Sequence, residues 1–242
     1  MVMITPAWTA PKTVSAISTT RKGGVSFAPF DSFNLGLHVG DDEQAVLANR
    51  ALLASHLPNP AVWLNQVHSS DVVVVDERCD LSLVHSADAL YTNIVKQPLA
   101  IMTADCLPVL LCSNSGNEIA AVHGGWRGLS QGILAKTISH FKVPTSDIIA
   151  WLGPAIAPLQ FEVGQEVKDC FCSQNPLHEL AFTAKHEKYM ADIYLLARQQ
   201  LAQLGVANIS GGEYCTVSDK SQFFSYRRDG QTGRMASLIW RN

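Results

Sequence analysis

Two apolar runs joined by a short turn constrain the fold of this 242-residue chain more than any other feature. The first run is "LPVLLC", the second is "EIAAVH", and "SNSGN" lies between them. Serine, asparagine and glycine favour turns, and short apolar runs bounded by turn residues are typical of buried strands. We therefore predict a β-hairpin in the core, with Cys106 just before its first strand and His123 at the end of its second.

Five further segments have the composition of strands. They are rich in β-branched or apolar residues, and they cover residues 13–20, 61–68, 71–77, 99–103 and 147–153. Residues 223–240 are predicted to form a strand, a turn and a second strand. Residues 21–42 are rich in glycine and lack periodicity, which is typical of a functional loop or one that covers a site.

Three segments have the period of an amphipathic helix. The first is "DDEQAVLANRALLASHL", in which Asp41 and Gln44 resemble a capping box. The second covers residues 129–141, after the "GGWRG" turn. The third is "ADIYLLARQQLAQLG", which Asp192 caps and Gly205 ends.

The mixture of hairpins and helices predicts an α+β fold. We expect a single domain over residues 1–242, built from mixed β-sheets covered by helices. A hydrophobic content of 47% and a charged content of 16% suit a globular enzyme with a substantial core. The net charge of −3 provides neither a basic surface for nucleic acid nor a polybasic patch for a membrane.

The N-terminus lacks the basic start and apolar core of a secretory signal, and no apolar run reaches the roughly 20 residues that cross a bilayer. We therefore expect a cytoplasmic protein with no membrane partner, and we expect a monomer. Six cysteines in such a chain favour reduced thiols, a metal ligand or a nucleophile over disulfides.

Cys106 and His123 would come close together across the predicted hairpin. Cross-strand neighbours have Cβ atoms roughly 4.5–5.5 Å apart, which suits two ligands of one ion, although a slip of one residue would separate them. His68, at the end of "WLNQVH", is the candidate third ligand. One thiolate and two imidazoles suit Zn²⁺, and three protein ligands leave a fourth position for water. A cysteine hydrolase, with Cys106 as nucleophile and His123 as base, is an alternative that the same residues allow.

Arg127 lies in "GGWRG", at the start of the second predicted helix. Backbone N–H groups at a helix N-terminus and a neighbouring guanidinium both attract anions. The glycines around Arg127 would let the backbone approach a ligand closely. This turn therefore predicts an anion site.

Several long motifs follow one another from residue 20 to near the C-terminus. They are "TRKGGVS", "FNLGLHVGDD", "WLNQVHSSD", "ADALYTN", "MTADCLPVLL", "AAVHGGWRGL", "WLGPAIAP", "FEVGQEV" and "CTVSDKSQFFSYRRDGQTGRMAS". With these motifs the chain resembles the purine nucleoside phosphorylase family formerly called the multicopper polyphenol oxidoreductase, laccase-domain or YfiH-like, family.

The resemblance implies a zinc site formed by His68, Cys106 and His123, the three residues that the chemistry of the side chains also favours. It implies phosphorolysis of adenosine, inosine, guanosine and 5′-methylthioadenosine to the base and ribose-1-phosphate. An adenosine deaminase activity is implied as well. Purine nucleosides and phosphate are therefore the expected partners.

The two reactions require different groups. A deaminase needs a carboxylate that carries protons, and the candidates, in order of preference, are Asp105, Glu162 and Asp88. A phosphorylase needs cations that hold phosphate, and the candidates are Arg127, then Arg50 and Arg228. Residues suited to bind the base and ribose are Asn34, Gln66 and Phe224. Asp105 and Arg127 are thus the predicted catalytic residues.

The former family name also implies copper and the oxidation of phenols. Multicopper chemistry generally uses many histidines and a Cys/His electron-transfer site, whereas the eight histidines here are scattered, with no H-x-H pair. Zinc is therefore the expected cofactor, with copper as the alternative. A cysteine hydrolase that acts on the amides of cell-wall precursors is a further alternative, and a structural role would leave the glycine-rich loops without a purpose.

Overall fold

The predicted hairpin lies at the centre of the largest sheet. In the computed structural model, which describes residues 1–242, strands Leu107–Ser113 and Ile119–Gly124 pair in antiparallel register. All residues of both strands are buried. The prediction of a buried hairpin is therefore confirmed.

The strands form four sheets. In chain order they are β1 (Met3–Ile4), β2 (Val14–Thr19), β3 (Leu64–Asn65), β4 (Val72–Val75), β5 (His85–Ser86), β6 (Ala89–Thr92), β7 (Leu99–Thr103), β8 (Leu107–Ser113), β9 (Ile119–Gly124), β10 (Ile148–Leu152), β11 (Glu162–Val163), β12 (Phe182–Lys185), β13 (Lys188–Ala191), β14 (Asn208–Gly211) and β15 (Met235–Arg241). The largest sheet has the order β14-β10-β8-β9-β6-β4, and a four-stranded sheet has the order β1-β2-β15-β7. The two small sheets have the orders β11-β13-β12 and β3-β5.

The helices pack around these sheets. They are α1 (Glu43–Ala54), α2 (Trp126–Ser130), α3 (Ile133–Ile138), α4 (Gln165–Cys172), α5 (Ile193–Gln203) and α6 (Tyr226–Asp229), with 3₁₀ turns at Thr145–Asp147 and Pro176–Ala181. The predicted α+β fold of mixed sheets covered by helices is confirmed. None of these helices combines the length and the apolar character that crossing a membrane requires.

Successive residues of the central hairpin enter two different apolar cores. Val109 packs in the core that α5 completes with Leu201. Leu110, the next residue, packs in the core that the four-stranded sheet completes with Ile101 and Ile239. The hairpin is apolar on both faces because it lies between the helical layer and the second sheet.

The first helix begins one residue later than the predicted capping box. The N-cap is Asp42, whose side chain accepts a hydrogen bond from the Ala45 N–H at 2.9 Å. Asp41 instead accepts from the Asn34 side chain at 2.9 Å and from the Asp42 N–H at 2.8 Å. The prediction for the third helix is confirmed, since Asp192 caps α5.

One predicted element is wrong in its extent and another in its type. The helix expected at residues 129–141 begins earlier and is divided into α2 and α3, because Gly132 between them has a left-handed φ of 79°. The first strand expected in residues 223–240 is replaced by α6, where the Ser225 side chain accepts from the Arg228 N–H at 3.2 Å. The second strand, β15, is confirmed.

The glycine-rich loop of residues 21–42 has no helix or strand, as predicted. Asn49 of α1 is buried and holds this loop together. Its amide nitrogen donates to the Ser26 hydroxyl and to the Asn34 carbonyl, both at 2.9 Å, and its amide oxygen accepts from the Val25 N–H. The loop is thereby fixed beside the four-stranded sheet.

Candidate metal centre

His68, Cys106 and His123 come together at the ends of three different segments. Their ligand atoms all lie within 4.8 Å of one another, and the Cys106 Sγ is 3.9 Å from the His68 Nε2. His123 pairs with Pro108 in the hairpin, so Cys106 lies two residues before the direct partner of His123. This register brings the segment just before β8 alongside the end of β9, and the distances place the thiol and the imidazole on one side.

Asp88 orients both histidines. Its buried carboxylate lies 2.7 Å from the His123 Nδ1. It also accepts from the N–H groups of Val67, His68 and Ser69, at 3.2, 3.0 and 2.6 Å. Burial opposes ionisation of Asp88, but the hydrogen bond and the charge of His123 outweigh burial and lower its pKa. Because Asp88 holds the Nδ1, the Nε2 is the nitrogen of His123 that would bind an ion, in the arrangement that metal-bound histidines commonly have.

The thiol and the imidazole of this group favour their charged forms. Burial works to raise the pKa of Cys106, but the charge of His123 and hydrogen bonds from both histidines lower it to about 6. Burial also works to lower the pKa of His123, while the charges and hydrogen bonds of Cys106 and Asp88 raise it to about 9. A thiolate near neutral pH is the form of cysteine that binds metals.

The chain approaches this group closely at Gly125. A Cβ atom there would lie 3.1 Å from the His68 Cδ2 and 3.3 Å from the Cys106 Sγ. The φ of −64° and ψ of 153° at Gly125 are open to any residue, so it is space rather than backbone conformation that favours glycine. One thiolate and two imidazoles in such a cradle fit a metal ion with an open coordination position.

The group opens into a cleft of about 340 Å³, the metal cleft. Its lining residues are His38, Gln66, His68, Met102, Thr103, Ala104, Cys106, His123, Tyr226 and Arg234. A second space of about 360 Å³, the outer compartment, shares His38, Tyr226 and Arg234 with the cleft. The two spaces therefore adjoin along these three side chains.

Among the predicted substrate-binding residues, Gln66 lines the metal cleft. The Gln66 side chain makes two hydrogen bonds to the backbone of Met102. Its amide oxygen accepts from the Met102 N–H and its amide nitrogen donates to the Met102 carbonyl, both at 2.8 Å. Asp105, the predicted catalytic carboxylate, lies between β7 and β8 with a φ of 96°. Its two oxygens accept from the Thr216 hydroxyl and the Arg227 N–H, both at 2.6 Å.

Asn34 and Arg50 do not line the cleft but contact residues that do. The Asn34 side chain is buried and accepts from the N–H of Arg234 at 2.9 Å. Arg50 stacks 4.1 Å from the centre of the Trp63 ring, and its Nη2 lies 3.7 Å from the Met102 Sδ. Burial lowers the pKa of Arg50 to about 10.

The remaining predicted residues lie outside the lining of the cleft. Phe224 is fully buried, with the Arg21 guanidinium 4.7 Å from its ring centre. Arg127 is exposed and lies over the Trp126 ring at 4.4 Å. Arg228 is half-buried and pairs with Asp229 at 2.7 Å while donating to three backbone carbonyls, those of Thr216, Val217 and Phe223. Glu162 pairs with Lys185 and Lys188 on the three-stranded sheet.

Sequence reasoning missed His38, Tyr226 and Arg234 as residues of the cleft. His38 belongs to the glycine-rich loop that was expected to cover a site, which is the one signal that could have found it. Arg234 directly precedes β15, and Met235 pairs with Thr103 three residues before Cys106. Such a pairing of distant strands has no signal in the sequence of either segment.

The fold and the site together define a single-domain α+β protein whose His-Cys-His group could hold a metal ion. The family model described as multi-copper polyphenol oxidoreductase laccase matches residues 15–242. The chain therefore belongs to this family.

Relatives resemble the chain over nearly its whole length. The purine nucleoside phosphorylase YfiH of Escherichia coli (strain K12) is 51% identical over 240 residues, which cover 98% of each chain. A Neisseria meningitidis protein of known crystal structure has a TM-score of 0.95 and 46% identity, with 99% of each chain covered. The structure of YlmD from Geobacillus stearothermophilus has a TM-score of 0.87 and 36% identity, covering 96% of this chain and 93% of that one.

Proposed function

We propose that the protein is a zinc-dependent purine nucleoside phosphorylase with an accompanying adenosine deaminase activity. The observation that carries the proposal is the His68, Cys106 and His123 group at the base of a cleft. The name of the Escherichia coli relative, purine nucleoside phosphorylase, supports the reaction. Adenosine, inosine, guanosine and 5′-methylthioadenosine are the proposed substrates.

Phosphorolysis exchanges one bond at C1′ of the ribose. A phosphate oxygen forms a bond to C1′ while the bond from C1′ to the purine nitrogen breaks. The electron pair of the broken bond leaves with the base, which takes up a proton, and ribose-1-phosphate remains. The cleft must therefore hold phosphate and nucleoside together and support charge that develops between them.

Deamination replaces the amine at C6 of adenine by oxygen. Water supplies the oxygen, a C6–O bond forms, the C6–N bond breaks, and a proton from the water leaves with ammonia. When bound, zinc lowers the pKa of a coordinated water to about 7 and so supplies a nucleophile at neutral pH. His68, Cys106 and His123 would hold the ion, and Asp88 fixes the orientation of His123.

The direct test is an incubation of the purified protein with adenosine, with and without phosphate. Adenine, ribose-1-phosphate and inosine are measured by chromatography, and bound zinc by elemental analysis. We expect adenine and ribose-1-phosphate to form with phosphate, and inosine to form without it. Cys106→Ser should abolish both reactions and zinc retention, whereas the matched control Cys172→Ser, at the end of α4, should keep them. Absence of adenine in the zinc-loaded protein would exclude the proposal.

Copper-dependent phenol oxidation is the second candidate, because the family description names it. The chain contains one group of three such ligands, whereas multicopper chemistry uses several metals. Stoichiometric copper in protein purified without added metal, together with oxidation of a phenol, would favour this candidate over zinc.

A cysteine hydrolase, for example one acting on cell-wall amides, is favoured by the lowered pKa of Cys106 and the raised pKa of His123. This candidate predicts activity that survives chelators. It also predicts a covalent adduct on Cys106 that mass spectrometry detects. Zinc protection of Cys106 from alkylation would argue against it.

A further inference from the structure

Arg234 is the cation at the boundary between the metal cleft and the outer compartment. Arg234 lines both spaces, and it is half-buried. The Nη1 donates to the carbonyls of Thr232 and Gly233, at 2.9 and 3.0 Å. These two bonds fix the plane of the guanidinium, while its Nε and Nη2 have no hydrogen-bond acceptor in the protein.

Arg234 forms no ion pair in the protein, and the charges of Cys106 and Asp105 compensate its own charge only from a distance. No carboxylate lies within 4.0 Å of it, in contrast to Arg21 and Arg228, which pair with Asp31 and Asp229. Burial lowers the pKa of Arg234, so the surroundings oppose its charge. Removing a cation from water is costly unless an anion or hydrogen-bond acceptors compensate, and the two carbonyls leave one edge of the guanidinium free.

The side chain of Arg234 is also fixed in position. Gly36 packs directly on its stem, and a Cβ atom at Gly36 would lie 2.9 Å from the Arg234 Cγ. Asn34 holds the backbone of both residues, accepting from the N–H groups of Gly36 and Arg234 at 2.9 Å. Burial and the charges of Arg234 and Arg50 lower the pKa of His38, which therefore adds no second fixed charge but can donate or accept a hydrogen bond.

We propose that the free Nε and Nη2 edge of Arg234 is the phosphate-binding group of the cleft. The planar fork of a guanidinium matches two oxygens of a phosphate, and a fixed fork loses little freedom when it binds. The site would hold a phosphate dianion between the metal-binding group and the outer compartment, with His38 and Tyr226 beside it. This proposal rests on the proposed phosphorylase function, and it assigns to Arg234 the role that the sequence suggested for Arg127, Arg50 or Arg228.

A phosphate group could reach Arg234 from two sources. Inorganic phosphate would be the second substrate, whose oxygen bonds to C1′ as the glycosidic bond breaks. The phosphate ester of a nucleoside 5′-monophosphate has the same chemistry but would arrive attached to the ribose. The guanidinium recognises both, so the test needs one arm for each source.

The test compares Arg234→Gln, Arg234→Lys and a matched control, Arg198→Gln. Arg198 is also half-buried and also donates to two backbone carbonyls, those of Ile209 and Gly211, but it lies outside the cleft. We expect the KM for phosphate to rise at least tenfold in Arg234→Gln, about 1.4 kcal/mol of binding free energy. Arg234→Lys, which keeps the charge but not the fork, should have an intermediate value, and Arg198→Gln should match the wild type.

Deamination supplies an internal reference because it consumes no phosphate. The ratio of adenine to inosine formed at subsaturating phosphate should fall in Arg234→Gln, whereas a general loss of folding or of metal would lower both products together. An unchanged KM for phosphate and an unchanged affinity for adenosine 5′-monophosphate in a folded Arg234→Gln would overturn the proposal.

Calorimetric titrations of the zinc-loaded protein identify the source. Weaker binding of inorganic phosphate in the variant supports the cosubstrate site, and a loss confined to adenosine 5′-monophosphate supports a site for the esterified phosphate. These titrations need no turnover. If the wild type forms no ribose-1-phosphate, the phosphorylase proposal fails, while the titrations still decide whether Arg234 binds phosphate.

Discussion

Two residues, one within the candidate metal-binding group of His68, Cys106 and His123 and one beside it, have backbone conformations that are unusual for residues other than glycine. Asp105 has a φ of 96° and His68 a φ of 60°. Each is held by hydrogen bonds: the Asp105 carboxylate by Thr216 and Arg227, and the His68 N–H by Asp88. Such conformations cost of order 1–3 kcal/mol and persist where the surroundings impose them, which is common at functional sites.

The contacts of Asp105 favour a positioning role over proton transfer. Asn at this position keeps one acceptor oxygen and tolerates a left-handed backbone, whereas Ala loses both hydrogen bonds. We therefore expect Asp105→Asn to retain most of kcat for deamination and Asp105→Ala to lose about 1–3 kcal/mol of unfolding free energy. Steady-state kinetics and urea unfolding measure the two quantities. A loss of 10²-fold or more in kcat for Asp105→Asn, with zinc retained, would instead identify the proton shuttle.

Gly125 leads to a graded prediction about metal affinity. An alanine Cβ would lie 3.1 Å from the His68 Cδ2, close enough to displace a ligand by a few tenths of an ångström, and valine would displace it further. Overpacking costs typically about 1–3 kcal/mol, so we expect zinc affinity to fall about tenfold or more in Gly125→Ala and further in Gly125→Val. Competition with a chromogenic chelator measures this affinity. Equal affinities in all three proteins would show that Gly125 does not limit the space for the ion.

At the scale of residues, the proximity of His68, Cys106 and His123 was predictable and the rest of the cleft was not. Few residue types bind zinc, which drew attention to Cys106 and His123 across the hairpin, but His68 became a firm candidate only through the resemblance to a known family. Arginines are common on any surface, and only the structure shows which of them have partners. Arg228 donates hydrogen bonds to backbone carbonyls and pairs with Asp229, and Arg127 stacks on the Trp126 ring. Of the arginines, only Arg234 lines the metal cleft.

The division between α2 and α3 belongs to the scale of secondary structure. Gly132 has a φ of 79°, and a Cβ atom there would meet nothing within 4 Å. A side chain at position 132 would therefore cost free energy only because L-residues disfavour this φ, and it would not clash with any neighbouring atom. The division lets α2 begin beside the metal-binding group at Gly125, its N-cap, while α3 packs its buried residues against the main core.

Replacing Gly132 by alanine should destabilise the protein by roughly 1–2 kcal/mol, the usual cost of a left-handed backbone for an L-residue. Asparagine tolerates this conformation better, so Gly132→Asn should recover part of the loss. Urea unfolding of the three proteins, with zinc present throughout, measures the difference. Equal stability of wild type and Gly132→Ala would mean that the chain adapts by continuing the helix through residue 132.

Elements were predicted well where a periodic spacing of apolar residues coincides with residues that cap or end a helix. The clearest case is α5, which Asp192 caps. The prediction failed where one local signal conflicts with another. The apolar "FFSY" segment resembles a strand, but both phenylalanines are buried in a small core, and Ser225 starts α6. For the helix over residues 129–141, the spacing of apolar residues continued across Gly132, which hid the break.

At the scale of the molecule, the metal-binding group joins parts of the fold that the sequence keeps apart. His68 follows β3 of the two-stranded sheet, Cys106 lies between β7 of the four-stranded sheet and β8 of the largest sheet, and His123 lies on β9. An ion bound by all three side chains would bind the native protein far better than the unfolded chain, where the ligands are 38 and 17 residues apart. Metal binding should therefore be coupled to global stability.

Removal of zinc by a chelator should lower the melting temperature as well as abolish both reactions. A ligand at a thousandfold excess over its Kd stabilises the native state by about 4 kcal/mol, and about 1 kcal/mol shifts the melting temperature of a chain of this size by roughly 2–4 °C. We therefore expect a fall of roughly 8–16 °C in calorimetry of the chelated protein, reversed by added zinc. Cys106→Ser should melt at a temperature that the chelator does not change, because its ligand group is already incomplete. If the chelator lowers the melting temperatures of Cys106→Ser and the wild type equally, the stabilising ion binds elsewhere. If it changes neither melting temperature, a bound ion does not contribute to the stability of the fold.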